Sequence, residues 1–127
     1  MNAIGATGLV VFTTCPDYAA AEKFYEEVLG LECVYDAIGF KIYSTGGHSF
    51  IGIGSRKKEI EPVGALLSIC VSDAKAVYDR LHSLGYETTE FYHDKEIPLY
   101  TFHVTAPGGY DMEIQEFITE EHRKIFH

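Results

Sequence analysis

Residues 8–30, GLVVFTTCPDYAAAEKFYEEVLG, have a counterpart at 64–85, GALLSICVSDAKAVYDRLHSLG, and this internal repeat limits the chain to a duplicated fold. The first copy reads as strand, turn and helix. Leu9–Cys15 is apolar and β-branched, and Pro16–Asp17 ends it. Asp17 can cap a helix whose first turns hold the strong helix formers Ala19, Ala20, Ala21, Glu22 and Lys23. Helical spacing puts Ala20, Phe24 and Leu29 near one face, and Gly30 stands where a left-handed C-terminal cap belongs. In the second copy, Ser72–Asp73 takes the capping place. Ala74, Ala76, Val77, Leu81 and Leu84 supply the helical pattern, and Gly85 closes it.

Each copy is followed by strand-like segments. After the first come 31–37, then 40–45 and 48–54 joined by the hairpin glycines Gly46–Gly47. After the second come 86–93, a loop around Asp94–Pro98, and 99–105 and 110–117 joined through Pro107, Gly108 and Gly109. Residues 55–62 are charged and aperiodic, and read as a linker. Thr119 can cap a short terminal helix carrying Glu120 and Glu121. The expectation is one α+β domain over 1–127: a βαβββ module at about 5–55, linker 55–62, a second module at about 63–118 and a tail at 119–127. A four-stranded sheet with one helix covers one face only. The other face of each module must meet the partner module or a ligand, which suggests a cup.

With 10 Lys and Arg against 19 Asp and Glu, the net charge is −9. Such a chain has no electrostatic footprint for phosphate backbones or anionic lipid, so neither nucleic acid nor a membrane is expected as partner, whereas a neutral or cationic ligand is compatible. No apolar run approaches the roughly 20 residues of a membrane span, and the N-terminus lacks the basic region of a secretory signal. Cys15, Cys33 and Cys70 are odd in number and spaced too widely for a metal knuckle. Cys15 and Cys70 fall inside strands and read as small buried hydrophobes, in a protein of the reducing cytoplasm.

The strand ending in Asp17, the KFYEEVLGL segment at 23–31 and the closing APGGYDMEIQEF at 106–117 resemble the glyoxalase/bleomycin-resistance/dioxygenase superfamily, the vicinal oxygen chelate fold. The resemblance implies paired βαβββ modules forming a cup-shaped half-barrel, a ligand held in the cup, and a homodimer. It also implies four positions where the metal-dependent members carry His, Glu or Gln. Matched residue by residue, these are Val10, Leu66, Glu113 and, by the hairpin glycines, Ile51, or Gly52 if the register is one residue out. One carboxylate cannot hold a divalent cation alone. The expectation is therefore no metal and no cofactor.

Strand alternation places Phe12 and Thr14 beside Val10, and Ser68 and Cys70 beside Leu66. On the hairpin register, Lys41 and Tyr43 share a face with Ile51, and Thr101 and His103 share one with Glu113, with His103 directly opposite Glu113. His103 and Glu113 are the candidate catalytic residues, as base and acid or as anchor for an amine. A structural cross-strand hydrogen bond is the plainer reading. Val10, Phe12, Tyr43, Ile51, Leu66, Ser68 and Thr101 are the candidate ligand-binding residues. His48, His82, His93, His122 and His127 share no ligand spacing and read as solvated. Two functions follow: metal-independent binding of a small hydrophobic or cationic molecule, or a divergent glyoxalase-like lyase or isomerase, or a dioxygenase. The enzyme would need His48, His103 and Glu113 drawn together.

Overall fold

The β-branched run at the start of the chain forms strand β1 (Leu9–Thr14) in a computed structural model that describes residues 5, 8–55 and 65–126. Apart from Ser55, the expected linker lies outside the described residues. The chain divides into two compact units, Met1–Pro62 and Val63–His127.

In the first unit, β1 leads into helix α1 (Tyr18–Glu22), capped by Asp17 Oδ1, which accepts from Ala20 N at 3.0 Å. The helix then widens into a π-helical stretch, Lys23–Val28, in which Leu29 N donates to Phe24 O at 2.9 Å. Gly30 closes it at φ +68°, in the left-handed region open to glycine. The wider turn changes which side chains are buried. Ala21, Phe24, Tyr25 and Val28 meet the sheet, while Ala20, expected on that face, is exposed. Strands β2 (Glu32–Ala37), β3 (Phe40–Gly46) and β4 (Ser49–Gly54) complete an open mixed sheet of order β1-β4-β3-β2, with β1 and β4 parallel.

The second unit repeats this plan. Strand β5 (Leu66–Cys70) leads to helix α2 (Ala74–Ser83), capped by Asp73 Oδ1 accepting from Ala76 N at 3.0 Å and closed by Gly85 at φ +87°. Strands β6 (Tyr92–Asp94), β7 (Leu99–Ala106) and β8 (Tyr110–Phe117) give the order β5-β8-β7-β6, again with the first and last strands parallel. Leu67, Phe102, Val104, Met112 and Ile114 are buried on the face that carries Ala74 and Leu81 of α2. Helix α3 (Glu120–Phe126) follows β8, with Thr119 Oγ1 accepting from His122 N.

The expected strand at 86–93 is mostly absent. Thr88 makes a single bridge to Val104, and regular pairing resumes only at Tyr92. The interruption has a local cause. Thr89 Oγ1 accepts from His103 N at 2.8 Å, taking the donor that a neighbouring strand's carbonyl would otherwise use. The loop before Pro98 is held by Asp94 Oδ1, which accepts from Glu96 N and Ile97 N.

Candidate functional site

The pairing of β1 with β4 decides which side chains share the helix-free face of the first sheet. Val11 pairs with Ile51 and Phe12 with Gly52, and across the hairpin Ile51 pairs with Tyr43 and Gly52 with Ile42. Val10, Phe12, Ile42, Phe50 and Gly52 therefore lie on the open face. Ile51, Tyr43 and Lys41 lie on the helix face, which corrects the expected grouping of Ile51 and Tyr43 with Val10. The hairpin glycines misled because they stand at different places in the two hairpins: Gly52 and Ile42 hold the places of Glu113 and His103, an offset of 61, whereas Gly46 and Gly108 are 62 apart, and one residue of slip exchanges the faces of a strand.

The contacts of these residues show what they do. Ile51 is buried, and Tyr43 stacks on Tyr25 at 5.6 Å between ring centroids. Tyr43 Oη donates to Glu26 Oε2 at 3.0 Å, and Lys41 Nζ reaches Glu22 Oε2 at 2.8 Å and Glu26 Oε2 at 3.3 Å. The hydrogen bond to Glu22, joined by the one to Glu26, raises the Lys41 ammonium above the usual lysine pKa, although burial opposes it. For Tyr43, burial first and the Glu26 hydrogen bond second push the phenol above the usual tyrosine pKa. These groups tie the π-helical stretch to the sheet.

The open face of the first sheet is apolar. Val10 and Phe12 are 37% and 39% exposed, and Phe12 meets Phe40 edge-on at 6.0 Å, with Tyr35 next to Phe40 at 5.7 Å. The Phe12 ring covers Gly52. A Cβ at that glycine would lie 2.5 Å from Phe12 Cε1, so the ring occupies the space where a longer residue's side chain would start.

In the second sheet the expected register is observed. His103 is opposite Glu113, Glu113 is beside Ser68, and Thr101 is opposite Gln115. Leu66, Ser68, Cys70, Thr101, His103, Asp111 and Glu113 thus lie on the helix-free face. Glu113 is the best anchored of them: Ser68 Oγ donates to Oε1 at 2.6 Å and Thr101 Oγ1 donates to Oε2 at 2.7 Å. Its side chain is 17% exposed. His103 does not hydrogen-bond Glu113. Its Nδ1 lies 2.9 Å from Asp111 Oδ1, and its Nε2 is 3.9 Å from Glu113 Oε2. An open groove of about 400 Å³ runs beside His103 and Asp111, lined also by Glu87, Thr89 and Thr105 among others.

Asp111 was missed in the sequence, although period-two alternation already put it on the Glu113 face. Ser68 stands beside Glu113 on the helix-free face, and its role as donor to Glu113 needed the parallel pairing of β5 and β8. Thr14, placed beside Val10 in the sequence, is buried, and Cys15 follows β1 where a strand position was expected. Cys15, Cys33 and Cys70 are free and half-buried. Among the described residues, no three His, Cys, Asp or Glu side chains converge so as to hold a metal ion, and no helix is long and apolar enough to cross a membrane.

The fold recurs in solved structures. A protein of Bacillus anthracis assigned to the glyoxalase family is 22% identical, with a TM-score of 0.75 over 93% of this chain and 99% of that one. A lactoylglutathione lyase from Agrobacterium tumefaciens is 20% identical, with a TM-score of 0.69 over 91% and 96%. A glyoxalase/bleomycin resistance protein from Catenulispora acidiphila is 19% identical, with a TM-score of 0.69 over 87% and 98%. At these identities the likeness is one of fold. No curated protein matches the chain. The family model of the Glyoxalase/Bleomycin resistance protein/Dioxygenase superfamily matches residues 9–114, spanning both repeats and the strands that carry Phe12, His103 and Glu113, and the chain belongs to that superfamily.

Proposed function

We propose that the chain binds a small hydrophobic or cationic organic molecule without a metal ion, as a cytoplasmic homodimer. The observation that carries this reading is the chemistry at the four positions where metal-dependent members of the family carry ligands. Val10 and Leu66 are hydrocarbon, and Gly52, the true counterpart of Glu113 by sheet register, has no side chain and lies beneath Phe12. Glu113 is the one ligand-type residue left, and both of its oxygens already accept hydroxyl hydrogen bonds. These residues do not fit the family's metal centre. They fit an organic guest. On the first sheet Val10 and Phe12 offer apolar surface, and on the second Leu66 lies on the same face as Ser68, Thr101, His103 and Glu113, whose polar contacts end in a carboxylate.

Native mass spectrometry of freshly purified protein, with elemental analysis of the same sample, tests this. The expected result is a dimer free of stoichiometric Ni, Zn, Fe or Mn, carrying or accepting an organic molecule. One such metal bound per chain and lost in Glu113→Gln would overturn the reading. The His103–Glu113 pair favours a second reading, a lyase or isomerase in which the imidazole moves a proton. Metal-dependent turnover that disappears in His103→Ala would decide for it.

A further inference from the structure

The Asp111–His103–Glu113 row carries a more specific inference, which rests on the metal-independent reading above. An ionised carboxylate accepts hydrogen bonds and donates none. The 2.9 Å contact from Asp111 Oδ1 to His103 Nδ1 therefore places a ring proton on Nδ1. In the neutral ring, Nε2 is then a bare acceptor, and it faces Glu113 Oε2 across 3.9 Å. Ser68 and Thr101 have already spent their hydroxyl protons on Glu113. Two acceptors facing each other repel slightly until a group with two donors joins them. A nitrogen at the usual separation of about 2.9 Å from each sits to one side of the gap, and its two contacts meet near a right angle, within reach of two N–H bonds on one atom.

We propose that a primary or secondary ammonium group of the ligand seats between His103 Nε2 and Glu113 Oε2. The charged groups facing the ring are Asp111 and Glu113 from β8 and Glu87 from the segment before β6. A quaternary ammonium has the charge but no N–H and cannot bridge the two acceptors.

Calorimetric titration with hexylammonium chloride and hexyltrimethylammonium chloride at about pH 8 tests the proposal. Hexylammonium is expected to bind about tenfold tighter than the quaternary salt, a difference of about 1.4 kcal/mol. His103→Phe should abolish the preference. The wild-type ratio needs no variant, so a misfolded substitution does not spoil the test. Equal affinity for the two salts, or no hexylammonium binding into the millimolar range, overturns the ammonium seat. The first result leaves metal-independent binding standing, whereas a stoichiometric metal on Glu113 would remove that reading itself.

Discussion

Glu113 shows how much one residue depends on its neighbours. It is a carboxylate 17% exposed, and two hydroxyls hold its orientation. Thr101→Val removes one of these donors and leaves Oε2 with a hydrogen bond fewer. Losing a hydrogen bond to a charged group is expected to cost about 1.5–3 kcal/mol, measurable as a drop in the denaturation midpoint. Gly52 presents the opposite case, a residue chosen for what it lacks. Gly52→Ala drives a methyl into the Phe12 ring, and overpacking of this kind is expected to cost about 1–3 kcal/mol, read by thermal unfolding. Phe12→Ala should relieve it, so the double variant should be more stable than the sum of the two changes predicts. The sequence alone could not have revealed this pairing, because parallel β1–β4 contacts come from residues far apart in the chain.

At the scale of elements, the two Asp caps and the two closing glycines were legible because capping is a local matter of one side chain and the next turn. Asp17→Ala is expected to cost about 1 kcal/mol of stability by chemical denaturation. The π-helical widening at Lys23–Val28 was not legible, because Ala, Glu and Lys favour helix without choosing its pitch. Packing chose it, by stacking Tyr25 on Tyr43 and pairing Glu22 and Glu26 with Lys41. That junction also sets a pH limit. The folded pKa values of Lys41 and Tyr43 are both raised, so their contribution is complete below the unfolded values near about 10. Above that pH the unfolded chain releases protons that the folded one keeps, and stability falls. Thermal midpoints should therefore drop above about pH 10, less steeply in Tyr43→Phe.

For the whole molecule, a net charge of −9 attracts cations and is screened by salt. Affinity for an ammonium ligand should fall as ionic strength rises, while that for a neutral analogue such as hexanol should hardly change, and titrations across a salt series would show the contrast. The chain by itself determined that the fold is duplicated, that each half opens with a strand and a capped helix, and that three of the family's four ligand positions lack a donor. Those properties are carried by short-range patterns: alternation, capping residues, turn glycines and residue type. Only tertiary structure decided which residues share a face. The β1–β4 pairing put Ile51 and its partner Tyr43 under the helix and Gly52 beneath Phe12, and the β5–β8 and β7–β8 pairings brought Ser68, Thr101 and Asp111 around Glu113 and His103. The reason is physical: a strand repeats every two residues, so a single bulge or a new neighbour exchanges its faces, and nothing local in the sequence records which partner the strand will take.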